Sequence, residues 1–172
     1  MYHEHTHQQN TIGNLRILNS RETKHIIERL SEQYGYDYDR ASQEYAFLMN
    51  KDNRIYMVSR NVELLPYDEM KMDSIGMYFG ELYKESLRMS IEGSQMIGPT
   101  STKNVVDIDT DQMIEWIKGG DIEHEDVGKE FVIIKHTDKD TGKVDYFGAG
   151  RYKDGKIMNF VSKSRRLIVV NS

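Results

Sequence analysis

The side chains best suited to chemistry in this sequence are the basic and aromatic ones near its C-terminal end. Residues 143–172 carry seven lysines and arginines against two aspartates, whereas residues 107–126 carry eight carboxylates and one lysine. Cations on neighbouring strands can contact successive phosphates, and counterion release then favours binding to nucleic acid of any sequence. Tyr152 and Phe160 lie within the basic segment and can stack on bases. The segment is therefore either a nucleic-acid-binding surface or a solvated strand face, and composition alone favours the solvated face.

Histidines offer two weaker candidates, both for metal binding. His3, His5 and His7 alternate along the N-terminal segment, and His124 is flanked by acidic residues. Imidazole is a common ligand of divalent cations, but it binds them weakly when no scaffold or supporting hydrogen bond orients it. We therefore predict no metal site and no cofactor, and interpret residues 1–13 as a flexible tail.

Short catalytic motifs are absent from the sequence. It has no Gly-Lys-Ser/Thr phosphate loop and no G-x-S-x-G nucleophile turn, and Gly148 and Gly150 lack the third glycine of a dinucleotide fingerprint. The chain has no cysteine, which excludes thiol nucleophiles, thiolate metal sites and disulfides. His25 is expected on the exposed side of the first helix, and His136 has no nucleophile paired with it in a known pattern. These observations predict that the protein is not an enzyme.

Composition places the chain among folded proteins of one or two domains. Its 172 residues are 38% hydrophobic and 30% charged, with a net charge of −5. No apolar stretch approaches the roughly 18 residues that span a bilayer, and the N-terminal segment has no apolar leader. We therefore expect a cytoplasmic protein without a membrane partner. The acidic total does not argue against a nucleic-acid partner, because it is the sum of two oppositely charged segments.

Hydrophobic spacing in the first half predicts mixed secondary structure. A helix is predicted over 20–34, with Asn19 and Glu22 at capping-box spacing and Gly35 as its stop. Further predicted elements are a hairpin of strands at 45–49 and 54–58, a short helix over 61–72, and strands at 75–80 and 87–91. The glycines, proline and Ser/Thr cluster of residues 93–102 lie between ordered segments and predict a boundary between two domains.

The second half is predicted to contain one short helix among closely spaced strands. The helix covers 110–118 and ends at Gly119 and Gly120. Asp154-Gly155 is a strong hairpin signal. Strands are predicted at 105–108, 131–134, 144–152, 156–161 and 167–170, and the apolar run at 131–134 fits a strand buried on both faces. The predicted fold class is α+β: a mixed α/β domain over 14–98, followed by a small β-barrel domain over 100–172.

The order of motifs in the second half resembles that of a PUA domain, the RNA-binding module named for pseudouridine synthases and archaeosine transglycosylases. The resemblance covers roughly residues 100–172. It rests on the segments Val105–Asp109, Thr110–Lys118, Lys118–Ile122, Val127–Gly128, Phe131–Ile134 and Phe147–Gly150. The first half is more loosely similar to the pre-PUA domain of small two-domain archaeal and eukaryotic ribosome-biogenesis factors. That likeness rests on Arg54–Ser59, Tyr78–Gly80 and Leu87–Ile91.

This resemblance implies RNA contacts at the glycine segment after the helix and at the edge of the last strands. The residues in those places are Lys118, Gly119, Gly120, Arg151, Tyr152, Lys153, Lys163, Arg165 and Arg166. Glycine allows close approach of the backbone to a phosphate, and arginine can grip a phosphate with two hydrogen bonds. The carboxylates that follow Gly120 would repel a phosphate unless they point away from it.

The function implied by the resemblance is non-catalytic binding of structured RNA, either rRNA or tRNA, in ribosome biogenesis or rRNA processing. The N-terminal domain would then dock a protein partner or support the barrel, and the source would be archaeal. An alternative is an RNA-targeting subunit or detached domain of a tRNA-modifying enzyme of the transglycosylase or pseudouridine synthase type. A third interpretation is a protein-interaction module whose basic segment is merely solvated.

Overall fold

A computed structural model of the protein describes residues 11–12, 14–38, 45–59, 76–125 and 127–165. Two β-sheets and three α-helices make up the described fold, which confirms the α+β class. The predicted helix over 61–72, the strand over 167–170 and the histidines of the N-terminal segment lie outside the described residues. None of the described helices is both long and apolar enough to cross a membrane.

The first sheet is a six-stranded antiparallel meander in which each strand pairs with the next along the chain. Its strands are β1 (Thr11–Ile12), β2 (Leu15–Ile17), β3 (Tyr45–Met49), β4 (Arg54–Ser59), β5 (Met77–Tyr83) and β6 (Ser86–Met89). The β3–β4 hairpin confirms the turn predicted at 50–53, where the Asn50 side chain accepts hydrogen bonds from the backbone N–H groups of Asp52 and Arg54.

Helix α1 (Ser20–Tyr34) connects β2 to β3 and has the predicted ends. Asn19 and Glu22 each accept a hydrogen bond from the other's backbone N–H, at 3.0 and 2.9 Å. Gly35 ends the helix with a φ of 61°, a left-handed conformation that glycine adopts without strain. The helix buries Ile26, Leu30, Gln33 and Tyr34. Its boundaries thus follow from local chemistry.

The segment predicted to contain the domain boundary, residues 93–102, begins inside a helix. Helix α2 (Ile91–Ile97) and a 3₁₀ turn (Gly98–Thr100) occupy that segment. Ser90 caps α2 by accepting from the Gly93 N–H at 2.8 Å. A Cβ at Gly93 would lie 2.1 Å from the Phe79 carbonyl oxygen, so this glycine permits close packing of the helix on β5. The glycine is there for packing and does not mark a flexible linker.

The second sheet has five strands in the order β7-β9-β10-β11-β8, with β7 parallel to β9 and the other pairs antiparallel. Its strands are β7 (Val105–Ile108), β8 (Ile122–Glu123), β9 (Phe131–Thr137), β10 (Val144–Lys153) and β11 (Lys156–Asn159). Helix α3 (Thr110–Ile117) joins β7 to β8. Among the described residues β7 and β8 are the two free edges, so the closed barrel stays a prediction.

Two local features shape β10. Asp154 and Gly155 both have positive φ, 52° and 76°, and form the predicted hairpin turn to β11. Gly148, at φ 80°, lies in a register shift between Tyr146 and Ala149, and its N–H donates to the Ser94 hydroxyl at 3.0 Å. This irregularity brings β10 into contact with α2.

The two sheets share buried contacts across the proposed domain boundary. Strand β9 is buried on both faces, as predicted: Val132 and Ile134 join the core under α3, whereas Ile133 joins the core of α1 and the first sheet. The buried Gln33 side chain donates to the carbonyl oxygens of Leu87 and Phe131, both at 3.0 Å. These contacts hold the two sheets in a fixed relation in the described residues, and the domain limits remain a prediction.

Candidate nucleic-acid interface

A cleft of about 440 Å³ lies between the first sheet and the end of the second. One wall comes from β4, β5, β6 and the start of α2, and the other from β10 and the segment after β11. Its lining residues are Arg54, Tyr78, Arg88, Met89, Ser90, Ile91, Glu92, Gly148, Ala149, Phe160, Val161, Ser162, Ser164 and Arg165. Three of these are arginines and one is a glutamate, so the lining carries a net positive charge.

The three arginines reach the cleft from separate elements. Arg54 on β4 and Arg88 on β6 are the cross-strand neighbours of Glu81 on β5, and the Arg88 guanidinium pairs with the Glu81 carboxylate. Arg165 donates to a Glu92 carboxylate oxygen at 2.5 Å. Arg54 is exposed and forms no ion pair with any described residue. The cleft therefore presents one guanidinium that has no ion pair among the described residues and two that an incoming anion could share with a glutamate.

Aromatic side chains lie beside these cations. Phe160 is 37% exposed, and the Arg88 guanidinium lies 5.6 Å from its ring centroid. Burial raises the pKa of Tyr78, although the charge of Arg88 and a hydrogen bond with it act in the opposite direction. The Tyr78 hydroxyl is consequently neutral at physiological pH and can donate a hydrogen bond. Guanidinium groups next to a phenol and an open aromatic ring can bind both the phosphate and the base of a nucleotide.

The turn after α3 fixes the position of Phe160. Asn159 donates from its side chain to the carbonyl oxygens of Trp116 and Gly120, at 2.8 and 3.2 Å. Its backbone N–H donates to Asp121 Oδ1 at 2.8 Å, and the Phe160 N–H donates to the Ala149 carbonyl at 3.2 Å. The Asp121 carboxylate, one of those next to the glycines, therefore points at the protein backbone, whereas Glu123 and Glu125 are exposed.

The residues expected from the resemblance are spread over several surfaces. Arg165 lines the cleft, and Lys163 lies on the same 3₁₀ turn (Lys163–Arg165) without lining it. Lys118, Gly119 and Gly120 form the end of α3, where Gly119 has a φ of 96°. Arg166 lies outside the described residues.

Two expected residues on β10 also have contacts within the protein. Arg151 lies 4.9 Å from the Phe131 ring centroid and donates from Nε to the Lys129 carbonyl at 3.2 Å. Tyr152 packs with its ring 5.6 Å from that of His124. Lys153 is exposed at the β10–β11 hairpin, outside the cleft. Whether any of these residues binds RNA stays a prediction.

Sequence reasoning missed the cleft residues of the first half, above all Arg54, Tyr78 and Arg88. The predicted contacts were concentrated in residues 143–172, because charge density along the chain can be counted from the sequence alone. Alternation within β4 and β6 could have identified both arginines as outward-facing positions. Their convergence with Arg165 depends on how the two sheets pack, and no spacing in the sequence encodes it.

Comparison with known proteins gives a partial similarity. No family model matches the chain. Two relatives, each named ribosomal RNA small subunit methyltransferase F and found in Vibrio vulnificus strains YJ016 and CMCP6, are both 28% identical to it over 109 residues. The match covers 63% of this chain and 22% of each relative, so the chain spans about a fifth of the length of these proteins.

The prediction that this protein is not an enzyme is contradicted by this comparison. Both relatives are methyltransferases by name, and methyl transfer is an enzymatic reaction. The prediction failed because it rested on a search for phosphate-loop, hydrolase and dinucleotide motifs. Such short motifs do not detect every class of enzyme, and nothing in composition replaces them.

Proposed function

We propose that this protein binds ribosomal RNA through the cleft and takes part in rRNA methylation. The observation that carries the proposal is that Arg54, Arg88 and Arg165 line one cleft together with the partly exposed ring of Phe160. A polyanion with flat bases is the ligand that such a set of side chains recognises best. The similarity to the two rRNA methyltransferases supports both the RNA class and the reaction.

The proposal develops the RNA-modification alternative raised by the sequence, with rRNA as the substrate. The resemblance of residues 100–172 to a PUA domain supports it, since that module binds RNA. An rRNA substrate is also consistent with the cytoplasmic location expected from the sequence. The protein partner expected on the first half and the archaeal source stay predictions.

Binding to transcripts of small-subunit rRNA, measured by fluorescence anisotropy over a range of salt concentrations, tests the RNA contact. Replacing Arg54 and Arg165 together by alanine should weaken binding and reduce the slope of log K against log salt by about 0.7 to 0.9 per lost phosphate contact. Both side chains are exposed, so the fold should be retained.

The matched control is Lys139→Ala with Lys156→Ala, which removes two exposed cations that lie outside the cleft and are not among the predicted RNA contacts. Equal weakening by both double variants would show that the cleft is not the contact. A wild-type protein that binds no rRNA would refute the RNA part of the proposal. Methylation is tested by mapping methylated positions in small-subunit rRNA from cells with and without this gene. If no position changes, the methylation part is wrong.

A further inference from the structure

A strip of three aromatic rings leads from the cleft to the far end of β5. Tyr83 is 48% exposed and Phe160 is 37% exposed, whereas Phe131 between them is buried. The ring centroids of Tyr83 and Phe131 are 6.1 Å apart, and those of Phe131 and Phe160 are 5.1 Å apart. Both pairs are nearly perpendicular, at 89° and 90°, so a single buried ring anchors the two exposed ones.

Cations accompany every ring of this aromatic strip. Arg88 lies over Phe160 at 5.6 Å. Arg151 lies 4.9 Å from the Phe131 centroid and 5.7 Å from that of Tyr83, which Lys84 also approaches at 5.8 Å. Positive side chains therefore lie beside every ring of the strip, although Arg88 is paired with Glu81, and they make a polyanion a better occupant than an apolar peptide.

The strip exists before any ligand binds, because both sheets hold its central ring. The Phe131 N–H donates to the Ser86 hydroxyl at 3.2 Å, and its carbonyl accepts from the Gln33 side chain at 3.0 Å. Both partners are buried and belong to the first half of the chain. A ligand would thus find Tyr83 and Phe160 already positioned, with little ordering left to oppose binding.

Exposed aromatic rings can bind only those bases that are not stacked inside a helix. In double-stranded RNA each base contacts its neighbours on both faces, whereas an unpaired base can stack on a protein ring. From the strip and its cations we infer that this protein selects unpaired RNA, with bases stacked on Phe160 and Tyr83 and phosphates held by Arg88 and Arg151. This inference rests on the proposed function and specifies the conformation of the RNA that it binds.

The test compares three RNAs of matched length: an oligonucleotide without self-complementarity, a fully paired hairpin, and that hairpin with an internal unpaired loop. Phe160→Leu and Tyr83→Ala should each weaken binding of the two RNAs with unpaired bases by roughly tenfold, the loss of about one stacked base. Binding of the paired hairpin should change by less than about twofold by the same reasoning. Tyr45→Ala is the control, because Tyr45 is 45% exposed on β3 and does not line the cleft.

A direct readout is the fluorescence of 2-aminopurine placed in the unpaired segment, which stacking on the protein quenches. Wild-type protein should change this fluorescence, and Phe160→Leu or Tyr83→Ala should reduce the change. Tyr83 lies at the exposed end of β5, so its variant keeps the test valid if Phe160→Leu unfolds the protein. Urea unfolding of each variant establishes which ones are folded.

The outcomes separate this inference from the proposed function. The strip does not select unpaired RNA if each aromatic variant changes the binding of paired and unpaired RNA equally, or changes the binding of neither RNA. The RNA function still stands in that case if Arg54→Ala with Arg165→Ala weakens binding. If the wild-type protein binds none of the three RNAs but binds small-subunit rRNA, this inference fails and the RNA function stands. If it binds neither, both conclusions fail.

Discussion

The ion pair between Arg165 and Glu92 gives the sharpest test of the cleft, because its two members should have opposite effects on RNA binding. The side chains are 49% and 35% exposed and their closest atoms are 2.5 Å apart. An exposed pair of this kind contributes only about 0 to 1 kcal/mol to stability. Neither Arg165→Ala nor Glu92→Gln should therefore change the free energy of unfolding by more than that.

Their effects on RNA affinity should differ in sign. Arg165→Ala removes one positive charge facing the phosphates, and Glu92→Gln removes one negative charge from the same place. One unit charge a few ångströms from a phosphate in water is worth about 1 kcal/mol, which is a factor of about five in Kd. We expect Arg165→Ala to weaken binding by about this factor and Glu92→Gln to strengthen it, both effects shrinking as salt is added.

The assay is anisotropy of labelled rRNA at low and at physiological salt, with Lys24→Ala and Glu28→Gln as matched controls. That second ion pair lies on the exposed side of α1, with 3.8 Å between its closest atoms, and it does not line the cleft. If Glu92→Gln weakens binding, or if the control pair gives the same two shifts, the cleft is not where phosphates bind.

Two further predictions concern stability. Burial disfavours the ionised form of Glu22, but the Asn19 backbone N–H and the Arg16 guanidinium outweigh burial, and the pKa of Glu22 is lowered. The ionised carboxylate therefore stabilises the fold above the ordinary carboxyl pKa, and this stabilisation is lost as the pH falls through the lowered pKa. Urea unfolding from neutral to acidic pH should show this loss, and Glu22→Gln should flatten the profile; an unchanged profile would contradict the assignment. Gly93→Ala should lower the free energy of unfolding by about 1 to 3 kcal/mol, because the added Cβ would meet the Phe79 carbonyl oxygen. Gly128→Ala is the control in thermal unfolding and should have little effect, because a Cβ there has no neighbour within 4 Å.

Features that depend on neighbouring residues were predicted well. The ends of α1 follow from Asn19, Glu22 and Gly35, and the β10–β11 turn follows from Asp154-Gly155. In each case the decisive hydrogen bond or backbone angle involves only residues a few positions apart, so it can be predicted from the local sequence. The continuous apolar run of β9 likewise predicted a strand buried on both faces.

Features that depend on distant residues were predicted poorly. Gly93 was interpreted as the start of a domain boundary, and only the Phe79 carbonyl beside it shows that the glycine serves helix packing. The contact residues were sought in the basic segment, and Arg54 and Arg88 of the first sheet were overlooked. The absence of short motifs was interpreted as the absence of catalysis, which the relatives contradict.

The sequence by itself determined the α+β class, most helix and strand positions and the separation of acidic from basic segments, because these depend on residue type and short spacing. Only the tertiary structure decided which charges meet. Arg54 and Arg165 are 111 positions apart and line one cleft, and Tyr83 and Phe160 share the ring of Phe131. The physical reason is that the packing of β9 against both cores sets the relation of the two sheets, and that packing is a property of the whole fold.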